Sequence, residues 1–259
     1  MKAGIDLISE PRLATYMRFT SCEDKAIELH NMTLQVGSSL MAVIALIELG
    51  LRNLADQKIA VAYNDENWMI SEQSGIDFRE KEKRSIKTAI QHAKKAQYAK
   101  LTYREKQILD TKAFSAGVPA GIKHENLSRK RWETFEVSQG QVISQTTIFF
   151  WKRLFSSDYE ALLWRRSLRK VFPMKHIKRK EVAIHLEAIY SARNRIAHHD
   201  PVYGERLDLA FKAVEFIRDY MNKSKSEVTS DFQDFTEIQF HRLYIDYIAF
   251  KRSWALLED

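Results

Sequence analysis

From Ser39 to about Val61 the chain carries apolar residues on most sides of a helical repeat: Leu40, Val43, Ile44, Ile47, Leu51, Leu54 and Ile59. Successive helical residues turn by about 100°, so this spacing closes into a broad stripe, whereas a half-buried strand would alternate with period two. No segment of the chain alternates in that way between turn residues. Gly (8) and Pro (4), from which turn-rich β architectures are built, are scarce among 259 residues. The sequence therefore predicts an all-α fold, and its 45% hydrophobic content gives such a fold ample core.

Other helices follow from the same periodicity. Ser9 and Pro11 mark a first helix start, followed by Leu13, Tyr16 and Met17. A second is expected from about Ser21, with Glu23 and Asp24 in its first turn, ending or kinking at Gly37. In the helix after it Glu48 and Arg52 stand four apart and can meet on one face. Residues 62–77 read as a connection, 78–103 as a helix, and Ala116 to Gly121 as a loop. A core helix is expected over 142–154, and a further one capped by Ser156-Ser157-Asp158 and running on to Phe172. Helices over about 179–198 and 205–221, a polar connection over 222–231 and an aromatic-rich last helix over about 232–254 complete the chain. The aromatic stripe of that last helix suits a core or a dimer face.

The net charge is +7 and the pI near 9.3, a balance that favours an anionic partner. The charge is concentrated. Residues 79–131 hold 15 Lys/Arg against 5 Asp/Glu, and residues 161–180 hold 8 basic side chains and no acid. Such runs form either solvated faces or phosphate contacts, and a phosphate contact makes binding steeply salt dependent. Lys94, Lys95, Arg165, Arg166, Arg169, Lys170, Lys178 and Arg179 are the candidates for RNA contact. The single cysteine, Cys22, excludes an internal disulfide and a CxxC motif. With no apolar signal-peptide core at Met1 to Asp6, and a most apolar run (Leu40–Leu51) too short to span a membrane, a cytoplasmic chain without membrane contact is expected.

The chemistry-bearing stretch is Ala192-Arg193-Asn194-Arg195-Ile196-Ala197-His198-His199-Asp200-Pro201. A neutral His can take a proton from a ribose 2′-OH and a protonated one can give it to the leaving 5′ oxygen, while Arg can stabilise charge on the phosphate oxygens. Asn194 and His198, four apart, project to nearly one side; Arg193 lies roughly 140° round from His198. One helix therefore presents Arg and His poorly to a single phosphate, and a symmetric pair of helices would present them well. His198, His199 and Asp200 are adjacent and diverge on a helix, without the spacing of HExxH or DxD, so no metal and no cofactor are expected.

RNRIAHHDPVY resembles the R-x4-6-H signature of HEPN-domain ribonucleases, with four intervening residues and Asn after the Arg. The stretches ISEPRLATY, LIELGLRNLA and GQVISQTTIFFWKRLFSSDYEALLWRRSLRKVFP, in this order before the motif, are similar to the Abi-like (abortive infection) branch of that superfamily. The resemblance implies a single Abi-like helical domain over 1–259. Within it lie N-terminal helices (1–62), a basic helix and loop insertion (78–135), motif-bearing HEPN helices (137–221) and a C-terminal helix (229–259). It further implies a homodimer with both motifs at its interface, metal-independent RNA cleavage leaving a 2′,3′-cyclic phosphate, and a toxin or antiphage role restrained by an antitoxin that is a small RNA or a protein. Arg193, Asn194 and His198 take the catalytic positions, with Arg195 and His199 as helpers. Glu48 and the pair Arg52-Asn53 take supporting ones, since no His follows that Arg at the motif's spacing. Glu28-Leu29-His30-Asn31 departs from the family's Tyr-x-Trp-Asn-like segment, keeping only the Asn. The alternative function is a non-catalytic RNA-binding protein of the same fold, complexed with a structured small RNA.

Overall fold

The computed structural model describes residues 8–20, 22–223 and 229–258, with side chains to residue 256. The chain's opening seven residues, with the Met1 to Asp6 stretch read for a signal sequence, Ser21, the middle of the connection expected at 222–231 and Asp259 lie outside these. Among the described residues the fold is all-α, without strands. Eleven α-helices succeed one another: α1 (Glu10–Met17), α2 (Glu23–Tyr63), α3 (Glu80–Ala99), α4 (Tyr103–Ile108), α5 (Asp110–Ala113), α6 (His124–Glu133), α7 (Gln139–Ile143), α8 (Ile148–Leu154), α9 (Arg179–Ala197), α10 (Glu205–Tyr220) and α11 (Asp231–Glu258).

Several boundaries differ from the sequence expectation, each for a local reason. The two helices expected either side of Gly37 are one, the 41-residue α2. A glycine inside a helix costs only about 1 kcal/mol, and the apolar residues on both sides bury enough surface to carry the helix through it. At α1, Ser9 is the N-cap residue but makes no capping bond; its φ of 66° takes it out of the extended backbone that aims a cap oxygen at the first turn. The core helix expected over 142–154 is broken into α7 and α8. Ser144 and Thr146 hydroxyls donate to the carbonyls of Gln141 and Ile143 (both 2.7 Å), and the Trp151 indole donates to Thr146 Oγ1 (2.8 Å). Polar side chains bonded to nearby backbone in this way compete with the helical ladder. The helix expected beyond Ser156 is instead a series of short 3-10 and π turns, Ser157–Tyr159, Glu160–Trp164 and Leu168–Val171.

The chain forms two compact units. The first comprises residues up to Leu54, Phe155–Ser157 and everything from Arg169 onwards. Its core helix is α2, whose Leu40, Val43, Ile44, Ile47 and Leu51 are all at 0% exposure. Because α2 is one long helix, length no longer argues against a membrane span, and an 18-residue window in it reaches a mean hydropathy of 1.8. That window is 39% buried by the rest of the chain: Leu40, Val43, Ile44, Ile47 and Leu51 are covered, while Leu34 and Leu49 of α2 stay exposed. Helices α9 and α10 pack against each other, with Leu186, Ile189, Val214 and Ile217 fully buried. Gly50 of α2 admits Phe232 of α11 so closely that a Cβ there would stand 2.5 Å from a ring carbon.

The second unit comprises Ala55–Leu154 and Asp158–Leu168. It contains the basic segment, and part of that segment's charge points inward. Arg131 is 8% exposed and grips Asp110 with two parallel bonds (Nε to Oδ1 2.7 Å, Nη2 to Oδ2 2.8 Å). Glu82, at 1% exposure, accepts from Arg153 Nε (2.9 Å) and from the Tyr159 hydroxyl (2.7 Å), and Arg153 also donates to Asp158 (2.8 Å). That hydroxyl in turn accepts from the Arg79 backbone N–H (3.0 Å). Burial, ahead of the adjacent Glu82 carboxylate, holds the Tyr159 phenol well above its usual pKa. Every member of this buried network has a partner, which is what makes a buried charge tolerable.

Candidate active site

Helix α9 carries the motif. It buries Val182, Leu186, Ile189 and Ala192 along one side and leaves the other outward. Its end is a complete Schellman turn. His198 is the last cap residue (φ −94°, ψ 11°) and His199 takes the left-handed conformation at φ 56°. The His199 N–H donates to the Ile196 carbonyl (2.9 Å) and the Asp200 N–H reaches back to Arg195 (2.7 Å). Both bonds satisfy carbonyls that a helix end otherwise leaves unpaired. Glycine normally takes the left-handed position; an L-residue there costs about 1 kcal/mol or somewhat more. The side chain of Arg195 locks the exit by donating to the Pro201 carbonyl (3.3 Å). Gly204, with φ 57° and ψ −144°, then starts α10 in a region essentially reserved for glycine.

Arg193 faces α2. Its Nε lies 3.4 Å from Glu48 Oε1, with the two side chains 38% and 29% exposed. The Glu48 carboxyl is held above the usual carboxylate range chiefly by burial, opposed by Arg193 and, less strongly, by Arg52. The sequence pairs Glu48 with Arg52; in the structure its ion pair goes to Arg193, and Arg52 acts on it only through space. Arg52 itself has its Nε buried without a hydrogen-bond partner. Asn53 is exposed and its side chain makes no hydrogen bond among the described residues. Glu48, Arg52 and Arg193 are thus gathered beside the motif, and Asn53 is not.

His198 and His199 are exposed, Asn194 partly so, and none of the three side chains is engaged in a hydrogen bond among the described residues. Both nitrogens of the His198 ring are therefore available, one to accept and one to donate. The C-terminal end of a helix favours a protonated imidazole and disfavours a phosphate, so an anion bound here depends on the guanidinium of Arg193. A guanidinium held through a single ion pair keeps other N–H groups for that role.

The eight basic candidates divide between the units. In the unit without the motif, Lys94 donates to the Glu133 carbonyl (3.0 Å), Lys95 stands 5.4 Å over the Trp132 ring, Arg166 stacks on Tyr63 (4.5 Å), and Arg165 lies 3.5 Å from Glu160. In the motif-bearing unit, Arg179 donates to the Phe155 carbonyl (2.9 Å), which is an anchoring role, while Arg169, Lys170 and Lys178 are exposed. Lys178 and His198 cap opposite ends of a helix of 19 residues, so they stand about 30 Å apart along the axis. A polyanion in contact with both would have to span that distance.

Sequence reasoning missed the left-handed His199 and the link from Glu48 to Arg193. The first had a faint signal in Pro201, which often follows such a turn; the second joins residues far apart in the chain and had none. Among the described residues no group of three or more His, Cys, Asp or Glu side chains is close enough to hold a metal. No family model, no curated protein and no solved structure matches the chain.

Proposed function

We propose that the chain is a metal-independent endoribonuclease of the HEPN type in an Abi-like abortive-infection or toxin system. It works as a cytoplasmic homodimer and is held in check by an inhibitor, a small RNA or a protein. One observation carries this reading: α9 presents Arg193, steadied by Glu48, and an exposed, unengaged His198 at its end. In the reaction a neutral His198 takes the proton of a ribose 2′-OH, and the 2′ oxygen attacks the adjacent phosphorus. The bond from phosphorus to the 5′ oxygen breaks, that oxygen receives a proton from a protonated imidazole, and a 2′,3′-cyclic phosphate remains. Arg193 stabilises the charge gathering on the phosphate oxygens and Asn194 orients the imidazole or the phosphate. With Arg193 and His198 roughly 140° apart on one helix, the full set comes from two copies.

The test is cleavage of RNA by the purified protein in EDTA. His198→Ala is expected to lower the rate by about 10²–10⁴, the usual worth of a general acid or base, with the fold unchanged because the side chain is exposed. Cleavage at the wild-type rate by that variant would sink the assignment. The exposed Arg169, Lys170 and Lys178, without partners among the described residues, favour the second reading, a non-catalytic module bound to a structured RNA. That reading expects salt-dependent RNA binding that survives loss of both Arg193 and His198, and no turnover.

A further inference from the structure

Helix α11 has two apolar faces. Its core face is covered, with Phe232, Thr236, Leu243 and Phe250 at 6% exposure or less. The other is open: Phe235 (55%), Ile238 (70%), Ile245 (53%) and Leu256 (76%). Together with Arg242, Ala249 and Arg252, all exposed, these positions advance in unbroken steps of three and four over three heptads. That spacing is the seam of a two-helix coiled coil. On a 100° turn it lies roughly 125° round from the core face, and at its far end it borders another helix, where Leu256 shares a cavity with Leu29 and Met32 of α2.

The charges of α11 divide along the same line. Away from the seam they are engaged: Glu237 with Arg218, Asp246 with Gln35 and Ser39, Lys251 with Asp208. On the seam, the side chains of Asp231, Asp234, Arg242 and Arg252 have no hydrogen bond or ion pair among the described residues. The acids stand at the first turn, Arg242 near the middle and Arg252 near the far end.

We infer that this seam receives a second copy of the chain, the two α11 helices running antiparallel. A parallel pairing would set acid against acid and arginine against arginine. An antiparallel one sets Ile238 against Ala249, the aliphatic stem of Arg242 against Ile245, Leu256 against Asp231 and Phe235 against the stem of Arg252, whose guanidinium then lies beside Asp234 of the other copy. The contact is then the same patch on both sides, the form a two-fold dimer requires, and the two arginines in the seam fix its register. The inference does not rest on the ribonuclease reading and needs no chemistry from the motif.

The test is the oligomeric state of the full chain by analytical ultracentrifugation across a concentration series. The wild type is expected at twice its 30.3 kDa mass. Ile245→Asp, at an exposed site that leaves the circular dichroism unchanged, is expected to weaken the dimer by about tenfold or more, as loss of a central contact does. Arg252→Asp is expected to weaken it through like-charge contact, and adding Asp234→Arg to restore most of the loss. A monomeric wild type, a dimer indifferent to Ile245→Asp, or a double variant no tighter than Arg252→Asp alone would each overturn the proposal. The two readings fail separately: His198→Ala is expected to lose cleavage and keep the dimer, whereas Ile245→Asp tests this seam by mass alone, whatever its cleavage does.

Discussion

His199 offers the sharpest test of how the motif is held. Its backbone sits at φ 56° because the Schellman turn that closes α9 needs a left-handed residue at that point. Replacing it by Gly and, separately, by Ala removes the same imidazole and leaves different backbones. Ala retains the left-handed penalty of about 1–2 kcal/mol. Gly escapes it, but its freer unfolded chain gives back about 0.4–1 kcal/mol. The net expectation is that His199→Gly is more stable than His199→Ala by about 1 kcal/mol, or about 2–4 °C in Tm for a chain of this size. Thermal and urea unfolding of the unit that contains α9 measure the difference. Equal stability, or a more stable Ala variant, would refute the claim that the turn imposes this conformation. The RNA assay adds an independent reading. If the ring of His199 assists His198, both variants lose the same amount of cleavage despite their different stabilities.

Two glycines of α2 should respond to Ala with opposite signs. At Gly37 a new Cβ meets only Ile196, at 3.8 Å, so Gly37→Ala is expected to gain up to about 1 kcal/mol from helix propensity. At Gly50 it would stand 2.5 Å from the Phe232 ring, which is 6% exposed and has little room to move, so Gly50→Ala is expected to lose about 1–3 kcal/mol; urea titration reads both, and like signs contradict the packing. The Glu48 carboxyl, raised above the usual 4.5 mainly by burial, takes up a proton more readily folded than unfolded. Its charge therefore disfavours folding above the folded pKa, and that cost is relieved as pH falls towards 4.5. Arg193→Gln should raise it further, a shift visible by carbon-detected NMR titration; a downward shift would mean that Arg193 is not its partner. Glu82→Ala should cost about 3–5 kcal/mol because it strips Arg153 and the Tyr159 hydroxyl of a buried partner; a loss below 1 kcal/mol would show that this network does not hold its unit together.

The amino-acid sequence by itself determined the fold class and most of the helix positions. The reason is local: periodic Leu, Ile and Val at 39–61 and 182–196, Pro201 and Gly204 as a stop, and the scarcity of Gly and Pro act within a few turns of chain. It also brought the motif residues into view, since Arg193, Asn194 and His198 are neighbours in the chain. What it left open was decided at longer range. Whether Gly37 breaks α2 depended on burial along both halves, and whether 142–154 is one helix depended on Ser144, Thr146 and Trp151 closing their own bonds. The partner of Glu48 was a choice between Arg52, four residues away, and Arg193 on another helix, and only packing could make it. Whether His199 had to accept a left-handed backbone was settled by the turn into Pro201 and Gly204. An ion pair or a strained turn between distant segments depends on where the helices meet, and no local propensity records that.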